Sequence, residues 1–139
     1  MKKLILLIAV AMFSAPLLLS AQDEELEKPK DVGVAEFDEF KNTSFSIYKN
    51  SLKFKTMAEN GDKFTKDDVN DVTKLQDDLT KLQEKTEAML KNAGNVKPMT
   101  KAPKVTKIVK ASAKALKVSA ENLKYISENM VTADDEDGD

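Results

Sequence analysis

Between residues 34 and 130 the apolar positions fall into three blocks, separated by the chain's few glycines and prolines. In the second block Val72, Leu75, Leu79, Leu82, Thr86, Met89 and Ala93 alternate at spacings of three and four, which draws one narrow stripe down a helix. The first block is broader. Val34, Phe37, Phe40, Phe45, Ile47, Tyr48, Leu52 and Phe54 cover about half the helical wheel, as expected of a helix that touches two neighbours. In the third block Val105, Val109, Ser112, Leu116, Ser119, Leu123, Ile126 and Met130 form a stripe flanked by Ile108 and Ala115. Its middle is rich in Ala and Ser, and so suited to receive the aromatic side chains of the first block.

The joints carry their own signals. Asn60-Gly61 closes the first block, with Gly61 at the left-handed C-cap position. Thr65 and Asp68 have the spacing of a capping box, and Phe64 and Val69 that of a hydrophobic staple. Asn92-Ala93-Gly94-Asn95 ends the second block, and Pro103 suits the first turn of the third. These marks predict helices at about 34–59, 66–91 and 103–130 within one domain, 34–131. Short joints between helices of similar length predict an all-α fold, an elongated up-down-up three-helix bundle. No strand pattern of useful length is visible.

Ahead of the bundle, Lys2-Lys3, the apolar run Leu4–Leu19 and the small pair Ser20-Ala21 lead abruptly into Gln22-Asp23-Glu24-Glu25. That layout is a secretory signal peptide over 1–21, with cleavage expected after Ala21. A cut after Ala15 and retention as an uncleaved anchor are the alternatives; against an anchor, the run is short for a span and contains Pro16. The expected location is therefore periplasmic or secreted. Residues 22–33, charged and containing Pro29, read as a disordered acidic leader, and 132–139 as a disordered acidic tail.

Composition narrows the chemistry. There is no cysteine, histidine, tryptophan or arginine. Disulfides cannot staple the fold, and the commonest acid–base groups and nucleophiles are missing. No enzyme and no cofactor are expected. The terminal Asp-Asp-Glu-Asp-Gly-Asp run lacks the spacing of a calcium loop, since the chain given stops one residue after Gly138. The layout resembles small periplasmic bundle proteins at the level of fold, including a type that holds haem between helices; without histidine, haem is not expected here. Methionines 89 and 130 sit on core stripes and serve as filling.

One charge pattern stands apart. From Lys91 to Ala120 there are eight lysines and no acid. On the third helix, Lys107, Lys110, Lys114 and Lys117, continued by Lys124, lie opposite the stripe of Val109, Leu116 and Leu123. The ordinary role of such a row is a solvated face. Yet it crowds the N-terminal half of the helix, where the dipole disfavours cations. An internal partner is one reading, with Glu36, Asp38, Glu39 and the leader acids as candidates. An external partner is the other: an anionic membrane surface, an acidic glycan or an acidic protein. Nucleic acid is not expected, because no aromatics interleave with the lysines to stack bases. The leading expectation is a binding or scaffold module in the cell envelope with an unidentified protein partner, self-association remaining open. The alternative is a polyanion- or membrane-surface-binding module that uses Lys107, Lys110, Lys114 and Lys117.

Overall fold

The computed structural model describes residues 26–133. The expected signal segment 1–21, the leader acids Asp23, Glu24 and Glu25, and the acidic run 134–139 lie outside the described residues. The described chain is a bundle of three long helices: α1 (Ala35–Asn60), α2 (Lys66–Ala93) and α3 (Ala102–Asn129). Two short strands, β1 (Lys63–Phe64) and β2 (Val131–Thr132), pair in parallel, Lys63 with Val131 and Phe64 with Thr132. This pair joins the segment after α1 to the segment after α3. Two residues per strand are too few for a periodic signal, so the sequence pattern does not reveal them.

The helix ends follow local chemistry. At the close of α1, Gly61 is left-handed (φ 75°). Its N–H donates to the Ala58 carbonyl and that of Asp62 to the Met57 carbonyl, which is the Schellman arrangement. At the start of α2 both halves of the capping box form. The Asp68 N–H donates to Thr65 Oγ1 at 3.1 Å, and the Thr65 N–H donates to Asp68 Oδ2 at 2.9 Å. The short Asp side chain therefore completes the box that Glu more often closes. A 3₁₀ turn at Met99–Lys101 leads into α3, whose first turn holds Pro103.

α1 packs most extensively against α3. One core joins all three helices, with Phe37, Phe40, Ile47 and Phe54 of α1, the narrow stripe of α2, and Val105, Val109, Leu116, Leu123 and Ile126 of α3. Phe64 of β1 is fully buried in the same core, its ring 5.9 Å from that of Phe54. A second cluster contains no residue of α2. Here Phe45 and Tyr48 of α1 meet Ala115 of α3, with Leu26, Leu52, Ala111 and Val118 packed around them. Small residues on α3 thus receive large aromatics of α1. The broad face of α1 is covered on one side by α2 and on the other by the N-terminal segment.

That segment departs from the sequence expectation. Residues 26–33, read as part of a disordered leader, lie against the bundle. The Leu26 N–H donates to the Tyr48 hydroxyl at 3.0 Å. The N–H groups of Val32 and Gly33 donate to the two carboxylate oxygens of Asp38 at 2.9 and 3.0 Å. Asp31 pairs with the Lys41 ammonium. Acid-rich composition signals disorder when charges face only water; here a buried carboxylate on α1 supplies the acceptors that the backbone needs. Thr132, read as part of the tail, is likewise a strand residue.

Buried polar groups link α1 to α3. Asn122 Nδ2 donates to Ser51 Oγ at 3.1 Å, and Ser51 Oγ donates to the Tyr48 carbonyl at 2.7 Å. Both side chains are buried. A lone buried amide would cost about 1–3 kcal/mol, so the bond selects the register in which the two meet. A double-mutant cycle with Asn122→Ala and Ser51→Ala is expected to show about 1 kcal/mol of coupling in urea unfolding. Strict additivity would mean that the bond does not set the register.

Candidate functional site

The lysine row emerges on the outside of α3. Lys107, Lys110, Lys114, Lys117 and Lys124 are all exposed, whereas Val105, Ile108, Val109, Ala115, Leu116 and Leu123 between them are buried. Burial of the apolar stripe fixes the rotation of the helix, and that rotation presents the lysines as a set. None of Lys107, Lys110, Lys114 and Lys117 has an ion-pair partner among the described residues.

The acids of α1 face elsewhere. Asp38 is buried and holds the backbone of Val32 and Gly33. Glu36 and Glu39 line a cleft of about 430 Å³ between α1 and α2, together with Phe40, Leu82, Lys85 and Met89. A second α1–α2 cleft of about 390 Å³ holds Lys53, Asp71, Lys74 and Asp78. Another lies between α2 and α3, beside Asp77, Leu79 and Leu123. Clefts flank α2 because its apolar stripe is only one seam wide, which leaves polar side chains to bridge to its neighbours. Their charged groups lie on exposed rims, except for half-buried Asp78. Among the described residues no cluster of Asp and Glu is arranged to hold a metal ion, and no helix is long and apolar enough to cross a membrane.

Sequence periodicity placed the lysine row correctly on the outer face but missed a polar cluster at the start of α1. Lys41 is fully buried, and its ammonium reaches Asp31, which is 64% exposed. Beside it Gly33 has φ 85°, and a Cβ there would stand 3.4 Å from Lys101 Nζ. A side chain at Gly33 would thus be strained in backbone, while the tip of Lys101, in the 3₁₀ turn before α3, could move aside. Lys41 has no distinctive sequence signature; its neighbour Phe40 hid it, since a lysine next to a core aromatic usually points to solvent. Ser44 is also fully buried, and its hydroxyl has no hydrogen-bond partner.

On the other side of the α1–α3 contact, Tyr125 lies near Lys55 and Glu59. The Lys55 ammonium is 5.9 Å from the ring centroid. Desolvation by burial, with the Glu59 carboxylate adding to it, raises the Tyr125 phenol above its ordinary value. Both effects disfavour the phenolate.

No family model matches this sequence, and comparisons with curated proteins and with solved structures find no match.

Two outcomes test these placements. Asp31→Ala leaves the Lys41 ammonium buried without its carboxylate and is expected to cost about 1–3 kcal/mol in urea unfolding. Lys41→Met, which removes the charge and keeps the length, is expected to cost less or to stabilise. The reverse order would show that the pair is incidental. Tyr125 binds its proton more tightly in the folded chain than in the unfolded one. Its contribution is therefore fully present below about pH 10, the unfolded value, and lost as pH rises through the raised folded value. Tyr125→Phe should flatten that alkaline decline in stability, measured by unfolding at stepped pH. An unchanged decline would place its cause elsewhere.

Proposed function

We propose that this chain is an exported, non-enzymatic helical-bundle protein that serves as a binding or scaffold module in the cell envelope. Export is supported by Lys2-Lys3, the apolar run Leu4–Leu19 and Ser20-Ala21, with a mature chain beginning at Gln22. An up-down-up course is supported by the short joints and by the parallel pairing of β1 with β2, the strands that follow α1 and α3. Without histidine or cysteine, the chain lacks the usual means of acid–base and nucleophilic work.

The observation that carries a binding role is the row Lys107, Lys110, Lys114 and Lys117. It is exposed, without ion pairs among the described residues, and held on a helix whose opposite face is core. It also favours a second, narrower reading, in which the row docks on an anionic membrane surface. Lysine suits that surface, because ammonium groups act as point charges and need no planar match. The Ala- and Ser-rich opposite face is committed to α1, so contact would be electrostatic, without insertion, and weakened by salt.

The test uses protein recovered from envelopes of cells expressing the full chain, whose mass is expected to correspond to a start at Gln22. It should co-sediment with phosphatidylglycerol vesicles at low salt and release at high salt. The combined substitutions Lys107→Gln, Lys110→Gln, Lys114→Gln and Lys117→Gln should abolish retention while leaving helicity intact. Retention that ignores salt or these substitutions would remove the membrane reading; a start at Met1 would remove export by cleavage.

A further inference from the structure

We propose that the cleft between the start of α1 and the end of α2 binds a small organic cation with a short apolar tail, an aliphatic amine being the simplest case. The cleft holds about 430 Å³, within the range of roughly 300–1,000 Å³ usual for small-molecule sites. Its floor is Phe40 of α1 with Leu82 and Met89 of α2, all three part of the common core. Leu82 and Met89 stand two helical turns apart, about 10 Å, so the slot between the helices is long enough for a six-carbon chain. Met89 is unbranched and can reshape to receive one.

The rim supplies the charge. Glu36 and Glu39 lie three positions apart on α1, near enough to share one ammonium group. Lys85, on α2, is the cation that lines the same cleft. None of Glu36, Glu39 and Lys85 has an ion-pair partner among the described residues. Two carboxylates against one ammonium leave the cleft negative beside an apolar floor. Two other clefts beside α2 balance their charges, Lys53 and Lys74 against Asp71 and Asp78 in one, and Lys124 against Asp77 in the other. The helix dipole accounts for Glu36 in the first turn of α1. It does not account for Glu39, since the effect fades beyond that turn. An ammonium at the rim with its tail on Phe40, Leu82 and Met89 meets both the charge and the apolar surface.

The cleft lies between α1 and α2, away from the lysine row on the outside of α3, so its test is independent of the vesicle experiment. Protein purified from cells expressing the full chain, labelled with nitrogen-15, is titrated with hexylamine, hexanol, methylamine and hexanoate, and amide shifts are followed by NMR. Hexylamine is expected to shift amides around Glu36, Glu39, Phe40, Leu82 and Met89. It should bind about tenfold more tightly than hexanol, as two exposed ion pairs allow, and more tightly than methylamine or hexanoate. The combined substitutions Glu36→Gln and Glu39→Gln should remove that advantage over hexanol and the salt sensitivity of binding. Lys85→Gln should strengthen binding, and Ala88→Phe, at an exposed position on the rim, should block it without loss of helicity. Equal binding of hexanol, tighter binding of hexanoate, or hexylamine shifts that lie elsewhere or ignore these substitutions would overturn the proposal.

Discussion

The contact between α1 and α3 governs the rest of the molecule. Phe45 and Tyr48 reach toward a stretch of α3 where Ala111 and Ala115 leave room. Buried Ser44 and Ser51 on α1 recur seven apart, as do buried Ser112 and Ser119 on α3. Small side chains at heptad spacing let two helices approach closely, and burial of each large aromatic is then worth about 1.5–3 kcal/mol. Such an approach has a polar cost. Ser112 and Ser119 meet it by donating to carbonyls one turn back, Ile108 and Ala115, and Asn122 and Ser51 meet it by bonding across the contact. The pair is therefore specific in register as well as apolar.

Because α1 buries both flanks, it needs two covers of different kinds. α2 supplies one as a seam of single-residue width, and the clefts on both of its sides follow from that narrowness. Residues 26–33 supply the other, and they depend on Asp38. A carboxylate near a helix N-terminus sits in the favourable end of the dipole. From there it accepts both N–H groups of the turn at Val32 and Gly33. The N-terminal segment is thus held by polar clasps at one end and by Leu26 at the other.

How much of this the sequence revealed depends on the kind of force involved. Helix extents were legible within one or two residues, since Gly61, Thr65, Asp68 and Pro103 act on their immediate neighbours. The outward direction of the lysines was legible too, because it is the complement of an apolar stripe. Lys41, Asp38 and Asn122 were not. Asn122 meets Ser51 at a separation of 71 positions, Asp38 and Lys41 meet an N-terminal segment 5 to 10 positions before them that carries no periodic signal, and composition assigns charged and amide groups to solvent by default. The strand pair escaped notice for the same reason: a two-residue strand exists only because a distant partner lies beside it.

The lysine row is best understood as a tolerated expense of folding. Lys104 with Lys107, Lys107 with Lys110, Lys110 with Lys114 and Lys114 with Lys117 are like-charge neighbours at three or four residues. Each costs roughly 0.2–0.5 kcal/mol, and the dipole adds to this near the first turn. α3 can carry that sum because Val105, Val109, Leu116, Leu123 and Ile126 each return about 1.5–3 kcal/mol through burial. A sequence shaped by helix stability alone would alternate charges, as α2 does with Asp71, Lys74, Asp77, Asp78, Lys81 and Glu84. An anion laid along α3 relieves all four repulsions at once. The helix and any such anion therefore stabilise one another, and the strength of that coupling falls as salt rises.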